Sequence, residues 1–219
     1  MPERTAIRTA DGVEIIGDWW AGQNRAALLL HMMPADRRSW QELADRLAAG
    51  GWAVLAIDLR GHGESLAASG GRTLDYRKFT DAEHQASRLD LQAALAWLAT
   101  KGFPVERVAL VGASIGANLA ITAASEEPKL PAVAALSPGD DYRGVRTPGA
   151  VARFRPEQAL FLAASDEDQI SAKCVRGLKE IKPDAELRVL SDAGHGTTLL
   201  ERRPEMTAEL AAWLESVLK

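Results

Sequence analysis

The sequence predicts an α/β fold: a mostly parallel eight-stranded sheet that opens with an antiparallel hairpin and carries helices on both faces. Three observations lead there. From Ala26 onward the apolar runs "AALLLH", "WAVLAID", "VERVALVG", "AVAALS", "ALFLAAS" and "ELRVLS" recur, and a run that is apolar at every position suits a strand covered on both sides. Helical stretches separate most of these runs, and strand–helix alternation requires parallel crossovers. Ahead of them, residues 5–20 read as two short strands around the turn dipeptide Asp11-Gly12, with Val13, Ile15 and Ile16 supplying β-branched content.

The helices have their own start and stop signals. Ser39 with Glu42 forms a candidate capping box, followed by an apolar stripe of Trp40, Leu43, Ala44, Leu47 and Ala48 that Gly50-Gly51 ends. Thr80 with Glu83 repeats the device before a long helix carrying Ala86, Leu89, Ala93, Ala94, Trp97 and Leu98, which stops near Gly102. The last helix opens at Pro204 and buries Met206, Leu210, Trp213, Leu214 and Val217. Two irregular stretches, about Leu66–Phe79 and Asp140–Gln158, are too short for a domain and are candidates for loops at a site mouth.

At 219 residues the chain is long enough for one well-buried domain, and residues 1–219 are expected to form a single unit. Apolar residues make up 47% and charged residues 26%, which is ordinary globular usage and argues against disorder. A net charge of −4 offers no broad attraction for phosphate backbones or anionic lipid, so nucleic acid and membrane are not expected partners. No segment reaches the roughly 18 apolar residues of a membrane span, and Met1-Pro2-Glu3-Arg4 lacks the form of a secretory signal, so the cytoplasm is the expected location. The single cysteine, Cys174, excludes an internal disulfide and reads as a packing residue. His31, His62, His84 and His195 are scattered without ligand spacing, so neither metal nor cofactor is expected.

The most informative stretch is "VALVGASIGANLA". Gly112-Ala113-Ser114-Ile115-Gly116 fits G-x-S-x-G, with a strand before it and a small-residue helix after it. A serine at such a turn is thrust outward on a strained backbone, and glycines two residues to either side let neighbouring elements close in without Cβ clashes. The helix N-terminus adds free N–H groups and a positive dipole end where negative charge would develop. A capping serine on a small-residue turn gives the same five letters. No G-x-G-x-x-G and no G-K-[ST] is present to suggest a nucleotide site.

With "VGASIGANLA", "AIDLRGHGES", "FLAASDEDQIS" and "SDAGHG" in this order, the chain resembles the α/β-hydrolase fold family, and its cap-less serine-esterase and dienelactone-hydrolase-like branches in particular. The resemblance implies a nucleophile at Ser114 and a base at His195. It points to Asp168 as the acid, with Ser165 standing where a glycine is common; Asp140 or Asp141, after the preceding strand, is the alternative position. The order Ser114, Asp168, His195 agrees with the family.

"LLLHMMPADRRSW" occupies the place of the family's His-Gly-x-Pro loop. The resemblance therefore pairs the backbone N–H of Met33 with that of Ile115 as an oxyanion hole, although Met32 stands where glycine is usual. The Met32 and Met33 side chains are candidate linings of an acyl pocket, with core packing as the commoner fate of methionine. His31 is expected to orient this loop and His62 to organise the turn after its own strand.

Only about 20 residues separate "AVAALS" from "ALFLAAS", where many relatives insert a lid. Arg143, Arg146, Arg153 and Arg155 in that connection read first as solvated charge partly neutralised by Asp140, Asp141 and Glu157. The expected activity is hydrolysis of small carboxylic esters through an acyl-enzyme, with a small-molecule ester as partner. Thioesters, lactones and peptide-like amides are alternative substrates on the same triad, and a noncatalytic module binding a small ligand is an alternative class. Oligomeric state is not legible in the sequence.

Overall fold

The computed structural model describes residues 1–218. Its sheet contains β1 (Glu3–Arg8), β2 (Glu14–Trp20), β3 (Ala26–Leu30), β4 (Ala53–Ile57), β5 (Val108–Ala113), β6 (Ala132–Leu136), β7 (Ala159–Ser165) and β8 (Glu186–Leu190). They lie side by side in the order β1-β2-β4-β3-β5-β6-β7-β8. The β1–β2 and β2–β4 pairs are antiparallel and the remaining pairs parallel. The hairpin turns at Asp11-Gly12 as the sequence predicts.

Alternation along each buried strand separates two cores. On one face Leu28, Leu30, Leu110 and Leu162 meet α3 (Arg88–Thr100), α4 (Ile115–Glu126) and α6 (Gln169–Ile181). On the other, Ala27, Leu29, Val111 and Phe161 meet α1 (Gln41–Ala49), α7 (Thr198–Arg202) and α8 (Pro204–Val217). This two-sided burial is why β3–β6 read as unbroken apolar runs; each fully buried Leu or Ile contributes roughly 1.5–3 kcal/mol relative to exposure.

The helix starts differ in detail from the sequence reading. Ser39 and Glu42 form no capping box: Asp36 caps a 3₁₀ turn, Arg37–Trp40, by accepting from the Arg38 N–H at 2.8 Å, while the Ser39 hydroxyl donates to the Asp36 carbonyl. Ser39 lies inside the turn that Asp36 opens, so it is not at a helix start and cannot cap one. Thr80 and Glu83 do form a reciprocal capping box, but the helix they open, α2 (Asp81–Gln85), closes after five residues. Three-residue hydrogen bonds (Ser87 to His84, Leu89 to Ala86, Asp90 to Ser87) tighten the chain before α3, so the expected long helix is two.

The connection between β6 and β7 holds only a small ribbon, Asp141–Tyr142 against Val145–Arg146, and the four-residue α5 (Pro148–Val151). No cap domain stands there. The other irregular stretch folds back on the hairpin, with Ala68 bridged to Val13 and the Ser69 N–H donating to the Gly12 carbonyl. Its Ala67–Thr73 ribbon is a separate two-stranded sheet beside the hairpin.

Candidate active site

Strand register brings the candidate residues to one edge. Leu30 pairs with Gly112, Ala113 with Leu136 and Leu136 with Ala163, so the segments beginning at His31, Ser114, Ser137 and, two residues further along its strand, Asp166 leave the sheet at one edge. This is the carboxyl edge of the parallel strands, where open α/β sheets present their crevice.

Ser114 links β5 to α4 with φ 52° and ψ −119°, a backbone that L-residues rarely adopt, and its amide donates to the Leu136 carbonyl at 2.8 Å. The flanking glycines are steric necessities. A Cβ on Gly112 would stand 2.2 Å from the Gly116 carbonyl oxygen, and one on Gly116 would stand 2.3 Å from the Leu30 carbonyl oxygen. Only bare backbone lets α4 begin directly against the end of β3. Among the described residues neither the Ile115 nor the Met33 amide has a hydrogen-bond acceptor within the protein.

The His31–Pro34 loop is held by a buried imidazole. His31 Nε2 accepts from the Leu59 N–H at 2.9 Å, so Nδ1 carries the proton and donates to the Met32 carbonyl at 2.8 Å. Met32 does not require the left-handed backbone that a glycine there would permit, since it is not among the positive-φ residues. Its sulfur packs where a Cβ on Gly196 would stand, and Met33 packs against the core beneath the opposite face of the sheet. Arg37 fastens the far end of the loop, 2.5 Å from buried Asp58, 3.0 Å from Asp18 and 2.7 Å from Glu64. That charge holds the Glu64 carboxyl down at about 2.

Full burial pushes the His31 imidazole down to about 4 from an ordinary 6.5, and burial does the same to His62, which stacks on Tyr76 with centroids 3.8 Å apart. The native state thus binds these protons later than the unfolded chain. Stability is complete above pH 6.5 and declines as pH falls toward 4, by about 3 kcal/mol for His31 alone. His31→Gln removes that titration, so the stability gap between parent and variant should narrow by about this amount between pH 7 and pH 4 in urea unfolding. A constant gap across the range would refute the assignment.

The Asp168 carboxylate has two partners. One carboxylate oxygen accepts from the Ser171 N–H at 3.3 Å and caps α6, while the other lies 2.6 Å from His195 Nδ1. Asp141 instead accepts from the Gly144 N–H at 2.7 Å and from Arg146 Nε at 2.9 Å, so the structure brings Asp168 and not Asp141 to the imidazole. Asp140 neighbours Cys174, whose thiol is pushed up to about 12 chiefly by burial. Arg143, Arg146 and Arg153 are solvent-exposed, Arg146 paired with Asp141.

The histidine loop is fastened at three points around His195. Ser165 Oγ accepts from the Ala193 N–H at 2.8 Å and donates to Glu167, Glu167 accepts from the Gly194 N–H at 2.7 Å, and Ser137 Oγ accepts from the Gly196 N–H at 2.9 Å. Those two bonds, from the Ser165 hydroxyl first and the Gly194 amide second, hold the Glu167 carboxyl down at about 2. Ser165 thus does more than occupy a glycine position: its hydroxyl staples the loop. Ser114 is 9% exposed and 39% of the His195 side chain is exposed, and no hydrogen bond joins the two among the described residues. Catalytic hydrogen bonds often close only on substrate binding.

Two residues that the sequence reading did not single out adjoin the candidate site. Tyr142 stands edge-on to His195, ring centroids 6.5 Å apart, and its hydroxyl is 3.2 Å from Ser171 Oγ. Asn118, one turn after Ser114 in α4 and fully buried, donates to the Gly139 and Val145 carbonyls and accepts from the Gly139 N–H. Its signal in the sequence was a lone amide within "IGANLAI". Tyr142 had only its place just beyond "AVAALS".

A family model described as alpha/beta hydrolase fold matches residues 27–165, more than half of the chain. The chain belongs to the α/β-hydrolase fold family. Its solved structural neighbours include an esterase of Pyrococcus furiosus, 21% identical over 100% of this chain and 94% of that one, with a TM-score of 0.78. A dienelactone hydrolase from Anabaena variabilis is 20% identical over 100% and 99% (TM-score 0.76), and a thermophilic esterase from Thermogutta terrifontis 17% over 99% and 100% (TM-score 0.72). No curated protein matches the chain in sequence. At these identities the likeness of this α/β-hydrolase to its neighbours is one of fold. No helix among its described residues is long and apolar enough to cross a membrane.

Proposed function

We propose that this α/β-hydrolase cleaves small carboxylic esters through an acyl-enzyme. The observation that carries the reading is the 2.6 Å contact between Asp168 and His195 Nδ1 at the sheet edge where Ser114 sits on its strained turn. A carboxylate on Nδ1 fixes the tautomer that leaves Nε2 free to take a proton. Ser114 Oγ attacks the acyl carbon as its proton passes to His195. The oxyanion is held by the Met33 and Ile115 N–H groups, which have no acceptor among the described residues. Collapse expels the alcohol oxygen, which takes the proton from His195. Water then repeats the sequence on the acyl group and frees the acid, while Asp168 stays ionised throughout.

The esterase names among the structural neighbours support the same substrate class, and the absence of a cap in the β6–β7 connection suits small, open-access esters. The test is a fluorophosphonate label located by peptide mass spectrometry, followed by p-nitrophenyl esters of increasing chain length beside acyl-CoA thioesters, lactones and aminoacyl amides. Labelling at Ser114 with turnover highest on short esters is the expected result. No label at Ser114, or turnover confined to amides, would overturn the proposal.

A further inference from the structure

We propose that Tyr142 is the residue that limits the size of the leaving alcohol. The inference rests on the ester-hydrolase reading and deepens it. The Tyr142 ring lies across Gly139, where even a Cβ would stand 2.6 Å from a ring carbon, and presents its edge to His195 at 79°. Its hydroxyl meets Ser171 Oγ at 3.2 Å, and Ser171 is fully buried in the first turn of α6. The phenol therefore fills space between the base and the capped end of the acid's helix. Burial raises its pKa, so it remains a neutral hydroxyl at neutral pH.

The ribbon that carries it is pinned. Asn118 holds the Gly139 and Val145 carbonyls at 2.9 and 2.7 Å, the Thr147 hydroxyl donates to Gly139 at 2.8 Å, and Asp141 ties Gly144 and Arg146 into the turn. Since Asn118 belongs to the helix that begins beside Ser114, ring and nucleophile keep a fixed relation. A wall so held discriminates by volume.

Reaction chemistry decides which part of the substrate meets this wall. The carbonyl oxygen must point to the Met33 and Ile115 amides, whereas the departing oxygen must lie within proton-transfer reach of His195 Nε2. The substituent on the departing oxygen is consequently the group beside the imidazole, on the side that Tyr142 closes.

The experiment compares kcat/KM for cyclohexyl acetate and methyl acetate, measured by acid release in parent, Tyr142→Ala and Tyr142→Phe. The ratio of the two esters cancels any loss of folded enzyme, because both see the same active fraction. Tyr142→Ala should raise the cyclohexyl-to-methyl ratio about tenfold or more, and Tyr142→Phe, which keeps the ring, should hold it within about twofold of the parent. The butanoate-to-acetate ratio of the methyl esters should not follow. An unchanged alcohol ratio in Tyr142→Ala, or an equal shift in the acyl ratio, would overturn the role of Tyr142 while leaving ester hydrolysis standing. Absence of turnover and of Ser114 labelling in the parent would overturn the ester reading itself.

Discussion

Ser114→Ala and His195→Ala should each lower kcat by about 10⁶-fold, and the double variant should be no slower than either single one. A hydroxyl without its base is too weak a nucleophile, and a base without the hydroxyl has no proton to take, so the second loss removes nothing that still works. KM should change little, because neither side chain supplies binding that is equal in ground and transition states. Single-turnover kinetics on a p-nitrophenyl ester measure both points, and additive losses in the double variant would reject a shared role. Ser114→Gly separates chemistry from folding. It removes the Cβ at a φ of 52°, relieving strain of about 1–3 kcal/mol; urea unfolding should therefore show an inactive variant more stable than its parent.

Asp168→Asn should cost about 10⁴-fold in kcat with almost no cost in stability. The two effects part because this carboxylate has two partners. Asparagine accepts from the Ser171 N–H as well as aspartate does, so α6 keeps its cap. Toward His195, however, the amide neither fixes the Nδ1–H tautomer nor stabilises the imidazolium that forms on Ser114 attack. Asp168→Ala loses both and should unfold about 1 kcal/mol more easily. Equal kcat in Asp168→Asn and parent would dismiss the acid assignment and redirect attention to the exposed Asp140.

Much of this arrangement was legible because it is written in local constraints. Gly112 and Gly116 announce close backbone approach, and the register of apolar strands then delivers Ser114, Asp168 and the His195 loop to one edge. What escaped is set by tertiary contacts between residues of ordinary identity. Tyr142 lies in a stretch without periodicity, and nothing local says that its ring meets His195. Asn118 satisfies a helical pattern whether its amide faces solvent or clamps another loop. The Ser39–Glu42 pair met every local rule for a cap and lost to Asp36, a residue from the preceding loop. The buried pairs Arg37–Asp58 and Arg60–Asp90 likewise join segments far apart in the chain, and hydropathy registers such residues as surface charge.

The histidine loop is tied to Ser137, Ser165 and Glu167, yet the loop itself follows the outermost strand, β8, and is nearly the last part of the sheet edge to be translated. On the mechanism proposed above, a growing chain that has emerged only past residue 114 has its hydroxyl but not yet its base. On that mechanism the chain gains activity only once β8 and the loop after it are in place, so recovery of turnover during refolding should not precede formation of the β7–β8 pairing.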